Sequence, residues 1–140
     1  MRALGLDVGS KTIGIALTDE AGIAAHPLTV LDRAGNSGDI AKISALATEH
    51  NITDVVVGMP YELTGRVGHR GRIVQQFIKL LATALGVTIT MHEQDERFTT
   101  AEATRVLIEA NLSRSKRKDV IDQQAACLIL QTWLDAYKKR

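Results

Sequence analysis

Cysteine is almost absent. The single Cys127 rules out a disulfide within the chain, and a reducing, cytoplasmic setting is the expectation. Proline is nearly absent too: Pro27 and Pro60 are the only two, and no proline-, glycine- or serine-rich linker divides the chain. No apolar run approaches the about 20 residues of a transmembrane helix. The opening MRALGLDVGSKTIG is broken by Asp7 and Lys11 and holds no secretory apolar segment, so no membrane partner is expected. There is no internal repeat. Neither sign of charge dominates: 17 Lys+Arg stand against 16 Asp+Glu, a formal charge of +1, which excludes a diffusely cationic binder. His26, His50, His69 and His92 are scattered and have no zinc-ligand spacing, so each reads as structural or exposed. What remains is an ordinary globular composition, 45% apolar and 24% charged over 140 residues. That predicts one domain spanning residues 1–140, without room for a cleft between two large lobes.

Hydrophobic patterning predicts the elements. Residues 3–8 (ALGLDV) and 12–18 (TIGIALT) read as strands joined by the turn Gly9-Ser10-Lys11, hence an antiparallel hairpin. Residues 23–31 suggest a third strand, with Pro27 favouring an edge or a bulge. Ile40, Ile43, Leu46 and Ala47 mark a helix over 38–50. Residues 54–58 (DVVVG) are continuously apolar, the pattern of a strand buried on both faces. A helix over 71–85 stops at Gly86, and the β-branched stretch 87–92 reads as a strand. Helices over 99–110, with Thr99 as N-cap and Glu102 as its partner, and over 119–138 complete the order β-β-β-α-β-α-β-α-α. An antiparallel opening followed by αβαβ implies an α/β fold with a mixed sheet flanked by helices.

Three acidic positions stand out. Asp7 lies inside an apolar strand, where a charge is rarely buried without a partner. Alternation groups it with Gly5 and Gly9, leaving space above the sheet for a metal ion or phosphate; it could instead cap the following turn. Asp122 heads a helical stripe with Ala126, Ile129 and Trp133. It could face the sheet, or it could be the N3 partner of an N-cap at Asp119. Glu93-Gln94-Asp95-Glu96-Arg97 reads as a solvated loop, placed after the carboxyl end of a strand where ligands collect. An Arg there can hold a neighbouring carboxylate ionised and oriented. Carboxylates converging from separate elements suit hard divalent cations such as Mg²⁺. Two such ions about 4 Å apart support phosphodiester cleavage.

Two segments supply positive charge. Residues 58–72 place glycines among Arg66, Arg70 and Arg72, between a buried strand and a helix. Exposed backbone N–H groups and arginines suit phosphates, although a solvated loop looks the same. The run Arg114-Ser115-Lys116-Arg117-Lys118 adjoins Asp119 and Asp122, and would otherwise be a solvated linker. Cys127 sits in an apolar helical run and reads as a packing residue.

Taken in order, LGLDVGSKTIGIALTD, VVVGMPYELTG, DERFTTAEA and KRKDVIDQQAACLILQTWL resemble the signature blocks of the YqgF family. These are the RuvX-type Holliday junction resolvases, also described as pre-16S rRNA nucleases. The resemblance spans nearly the whole chain. It implies an RNase H-like fold similar to RuvC, with a five-stranded mixed sheet: three antiparallel strands, then parallel ones. It implies that Asp7 is the first-strand acid, Glu96 the second and Asp122 the last-helix acid, with Asp95 the alternate to Glu96. Together they would hold Mg²⁺ or Mn²⁺, two ions in all. Lys11 and Arg97 match family positions that face phosphate. The family loop after the fourth strand commonly reads GLPLNMDGT. Here Tyr61, Glu62 and Thr64 fill its variable slots, so its Asn and Asp are missing and Glu62 becomes a possible extra acid.

The expected activity is a cytoplasmic endonuclease on structured nucleic acid, either precursor rRNA or branched DNA, acting as a monomer or a homodimer. Asp7, Glu96 and Asp122 carry the chemistry in that expectation. Lys11, Arg66, Arg70, Arg72, Arg97, Lys116, Arg117 and Lys118 meet the phosphates. The rivals are a non-catalytic ribosome-assembly factor and a nucleotide-binding module suggested by the first motif. The near-zero charge is a cancellation of segments. Residues 63–92 carry Arg66, Arg70, Arg72 and Lys79 with no acid, whereas residues 93–110 carry five acids against Arg97 and Arg105.

Overall fold

The computed structural model describes residues 1–98 and 114–138, with the side chains of 1–97 and 123–138. Five strands form one sheet: β1 (Ala3–Val8), β2 (Thr12–Thr18), β3 (Ala25–Asp32), β4 (Asp54–Met59) and β5 (Thr90–Asp95). Their spatial order is β3-β2-β1-β4-β5. The pairs β1–β2 and β2–β3 are antiparallel, and β1–β4 and β4–β5 are parallel. Helices α1 (Asn36–Glu49), α2 (His69–Leu85) and α3 (Arg114–Lys138) accompany the sheet, with a 3₁₀ turn at Glu96–Phe98.

The period-2 alternation of β1 sorts the two faces. Leu4, Leu6, Ile13, Ile15, Val55 and Val57 pack under Ile40 and Ile43 of α1 and Val74, Phe77 and Leu81 of α2. On the reverse face Ala3, Ala16 and Val56 meet Ala126, Ile129, Leu130, Trp133 and Leu134 of α3. Each large apolar side chain so buried contributes roughly 1.5–3 kcal/mol. The residues facing α3 are small because the helix lies close to the sheet. A Cβ on Gly5 would stand 2.6 Å from Leu130 Cβ and 3.0 Å from the Ala126 carbonyl oxygen.

The first two strands match their predicted limits, and β4 extends one residue further, to Met59. Pro27 lies on the edge strand β3, where the register shifts opposite Ile15 and Ala16, so both the edge and the bulge are present. Gly86 closes α2 at φ 81°, a left-handed geometry that favours glycine. Helices α1 and α2 each begin two residues earlier than expected, and three further elements differ for reasons the structure gives. Strand β3 runs over 25–32 rather than 23–31, because Asp19 holds residues 22–24 in a turn through bonds from the Ile23 and Ala24 amides. Strand β5 starts at Thr90, not residue 87, since its parallel register on β4 pairs Asp54 with Thr90 and Met59 with Asp95. Glu93, Gln94 and Asp95 therefore belong to the strand, not to a loop. Helix α3 begins at Arg114 rather than 119, so the basic run is helical and Asp119 is no N-cap. The helix expected over 99–110, with Thr99 and Glu102, lies outside the described residues. Among the described residues no helix is long and apolar enough to cross a membrane.

Candidate active site

The carboxyl ends of β1 and β4 lie side by side, because the two strands are parallel. Asp7 pairs with Gly14 of β2, on the face that Gly5, Ala16 and Val56 present to α3. The β1–β4 ladder ends at Leu6–Val57, so Asp7 and Gly58 come next on neighbouring strands. Gly58 shares the face of Val56 by alternation. A Cβ there would meet Ile129 Cδ1, and would lie 3.0 Å from both Cδ and Oε1 of Glu96. The Glu96 carboxyl group thus occupies the space over Gly58, on the same face as Asp7, with Oε1 buried. Glycine at 58 leaves the space that the Glu96 carboxyl group occupies, and Asp7 stands opposite a second glycine, Gly14.

Helix α3 carries the third candidate acid, Asp122. Gly5 lies beneath Ala126 and Leu130, and Gln131 reaches the Ala25 amide at the Ala3 end of the sheet, so the helix runs antiparallel to β1. From Ala126 back to Asp122 the helix axis advances about 6 Å. From Gly5 to Asp7 the strand advances about 6.6 Å. Asp122 therefore lies on the side of Ala126 that leads towards the Asp7 end of β1. Because α3 starts at Arg114, Asp122 lies inside the helix rather than in its first turn, which removes the capping explanation for it. The basic positions Lys116, Arg117 and Lys118 belong to the same N-terminal part of α3. Among the described residues no cluster of three or more His, Cys, Asp or Glu side chains is closed.

Asp95 is engaged elsewhere. Its carboxylate accepts the Arg97 amide at 2.9 Å, Arg97 Nε at 3.0 Å and Arg97 Nη2 at 2.7 Å. These bonds, with Arg97 as the main cause, hold the Asp95 carboxyl below its usual range. The Arg97 guanidinium also lies over the Tyr61 ring, 5.5 Å from its centroid, and a Cβ at Gly65 would stand 3.2 Å from Arg97 Nη1. Burial first, then the Glu93 carboxylate 3.4 Å away, push the Tyr61 hydroxyl up from its usual value. Arg97 thus ties the 58–72 loop to the end of β5, and its turn sets Glu96 over Gly58.

In that loop the Gly65 amide donates to the Glu62 carbonyl at 2.8 Å, and the Glu62 amide to that of Arg66 at 2.9 Å. Gly65 has φ 89°. The Glu62 side chain lies against Gly68 at the entry to α2, where a Cβ on that glycine would be 2.9 Å from Glu62 Cδ. Lys11, Arg66 and Arg72 are exposed near this end of the sheet, and Arg70 Nη2 donates to the Val8 carbonyl at 2.8 Å.

Two residues of this region carry no sequence signal. Arg33 donates from Nη1 to the Gly9 carbonyl at 2.8 Å and from Nε to Asp39 Oδ2 at 2.7 Å. Asp39 is fully buried, yet in the sequence it is an ordinary acid in the first turn of a helix. His92 proves structural, 2.8 Å from Asp54 Oδ1 and against the Trp133 ring. Cys127 is half-buried beside the α3 core, and burial pushes its thiol up. It is expected to react with a disulfide reagent at pH 8 at least about tenfold more slowly than free cysteine. A rate equal to free cysteine, measured by thiolate release, would contradict that packing.

Residues 1–136 match the family model of RuvX, described as Holliday junction resolvase. The chain belongs to the RuvX family. It is thereby placed among nucleases. It is similar to a relative from Myxococcus xanthus, 45% identical over 138 residues that cover 99% of this chain and 90% of that one. A relative from Thermoanaerobacter pseudethanolicus is 45% identical over 141 residues, covering all of both chains. Both carry the name "Putative pre-16S rRNA nuclease". Among solved structures, T. thermophilus RuvC in complex with Holliday junction substrate superposes with TM-score 0.60 at 14% identity, covering 99% of this chain and 96% of that one. The Fowlpox virus resolvase in complex with substrate Holliday junction DNA gives 0.57 at 11%, covering 98% and 99%. Likeness at these identities concerns the fold. The RuvX chain has the RNase H-like mixed sheet of RuvC.

Proposed function

We propose that this RuvX chain is a cytoplasmic, divalent-cation-dependent endonuclease that acts on structured RNA and processes the 5′ end of pre-16S rRNA as a single domain. The observation that carries the reading is the pairing of Asp7 and Glu96 on one sheet face, over glycines 14 and 58. The relatives' shared name supports RNA as substrate. The donor set fits a hard cation: the two carboxylates offer only oxygen, and the missing Cβ at Gly58 lets the Glu96 carboxyl group lie against the sheet. Asp7, Glu96 and Asp122 would hold Mg²⁺ or Mn²⁺, two ions in all. Such ions supply an activated water and stabilise the leaving oxygen.

The chain's own residues do the rest. Asp95 fixes Arg97, and the turn so formed presents Glu96 while keeping Asp95 occupied. Lys11, Arg66, Arg72, Lys116, Arg117 and Lys118 neutralise backbone phosphates. Contacts of that kind recognise the shape of a duplex rather than its sequence. Arg70 and Arg97 add charge while held on protein partners.

The test compares Glu96→Gln and Asp95→Asn on a precursor rRNA fragment and a four-way DNA junction, with Mg²⁺ or Mn²⁺. Glu96→Gln is expected to lose about 100-fold or more in cleavage rate, beyond the usual cost of changing a residue that only supports a ligand. Asp95→Asn is expected to stay within about tenfold of wild type. The reverse ranking would transfer the metal role to Asp95. Preferential, symmetric cutting of the junction by a dimer would favour DNA resolution, as the family description and the RuvC likeness suggest. Tight binding of either substrate without cleavage would favour an assembly factor.

A further inference from the structure

We infer that Arg33 and Arg70 are positioning residues that aim Asp7, by gripping the two backbone carbonyls that follow it. The β1–β4 ladder stops at Leu6–Val57, while β1 continues for two residues to Val8. The carbonyls of Val8 and Gly9 lie beyond that ladder. Arg70 Nη2, from α2, donates to the first at 2.8 Å. Arg33 Nη1, from the end of β3, donates to the second at 2.8 Å.

Arg33 is itself held on every side. Nε bonds Asp39 Oδ2 at 2.7 Å, Nη2 bonds Asn36 Oδ1 at 2.8 Å, and the guanidinium lies 5.4 Å from the centroid of the Phe77 ring. The Ala34 amide donates to the other Asp39 oxygen at 2.9 Å. The Arg33 amide donates to the Lys11 carbonyl at 2.9 Å, so one residue pins both Gly9 and Lys11 of the β1–β2 turn. Lysine cannot replace this fork: it presents one charged nitrogen, whereas the planar guanidinium serves three acceptors at fixed angles. Both arginines approach from the α1/α2 side of the sheet and do not compete for the space above Asp7.

The inference rests on reading Asp7 as a metal-holding carboxylate, and the experiment separates the two. Mn²⁺ affinity is measured by calorimetry without nucleic acid, well below each melting temperature, for wild type, Arg33→Lys, Arg70→Lys, Asp7→Asn and Leu81→Ala. Leu81→Ala lowers stability from the α2 core without touching the turn. Arg33→Lys and Arg70→Lys are expected to weaken Mn²⁺ binding about tenfold, the scale of losing support behind a ligand. They are expected to lower kcat in proportion and to leave KM for RNA within about twofold, because lysine keeps the positive charge that faces the phosphates. Leu81→Ala is expected to keep wild-type affinity at its lower melting temperature. Should Arg33→Lys not fold, Arg70→Lys carries the same test. Wild-type Mn²⁺ affinity in the lysine variants, beside a weakened Asp7→Asn, overturns the positioning role alone. Wild-type affinity in Asp7→Asn overturns the metal site and the positioning role with it.

Discussion

Asp7→Asn is expected to lower the RNA cleavage rate by about 10³-fold, or about 4 kcal/mol of transition-state stabilisation. The substitution keeps the size of the side chain and one carbonyl oxygen, so the β1–β2 register opposite Gly14 has no reason to change. What is lost is one of the negative charges that gather on this face. In EDTA the variant should melt at or slightly above the wild-type temperature, since one like charge on this sheet face is then removed. Adding Mn²⁺ at 100 times its Kd should raise the wild type by about 2.7 kcal/mol and leave the variant nearly unmoved. The stability ranking of the two proteins therefore inverts on adding the cation. RNA affinity without metal should be unchanged or slightly tighter, because a repulsive charge facing the phosphates is gone. An Asp7→Asn protein that cleaves at the wild-type rate would sink the metal-site reading.

What was legible in the sequence is what short-range physics controls. Alternation alone separates Leu4, Leu6 and Val8 from Gly5 and Asp7, and the structure keeps that division, with apolar core on one side and α3 on the other. The unbroken Val55-Val56-Val57 gives a strand buried on both faces, and it lies in the interior of the sheet beside β1. Local preference misleads at β5. Residues 87–89 are apolar or β-branched, but Val87 is fully exposed, and the strand is instead formed by residues that find backbone partners on β4. Ladder bonds outweigh side-chain preference at a sheet edge, and polar residues such as Glu93 and Gln94 cost little there. That shift matters to the site, because it moves Glu96 from the middle of a loop to the first residue beyond a strand. The arginines that grip the end of β1 were illegible for another reason. Arg33 and Arg70 lie 24 and 62 residues from the carbonyls they hold, and nothing around either position announces a long-range bond. Asp122 is intermediate: its spacing from Ala126 and Ile129 could be read, but the capping alternative fell only with the observed start of α3 at Arg114.

Gly5→Val is expected to cost about 3 kcal/mol or more, the upper part of the range for overpacked cores. The reason is what the added atoms meet. At Gly58 the nearest groups are ends of side chains, Ile129 Cδ1 and the Glu96 carboxyl, which can rotate aside. At Gly5 they are Leu130 Cβ at 2.6 Å and the Ala126 carbonyl at 3.0 Å, both rigidly part of the helix. No rotamer change relieves that contact, so α3 must move bodily off the sheet. Its buried residues Ala126, Ile129, Leu130 and Leu134 then lose packing together. A loss of this size should lower the melting temperature by roughly 6–12 °C, at about 2–4 °C per kcal/mol for a chain near 150 residues. Activity measured well below the new melting temperature is expected to fall as well, because lifting α3 moves the proposed ligand Asp122 away from the sheet. Gly58→Ala should show the opposite balance, with little loss of stability and a marked loss of Mn²⁺ affinity through displacement of Glu96. If Gly5→Val instead melts with the wild type, the close seating of α3 on β1 is wrong, and with it the proposal that Asp122 joins the other two acids.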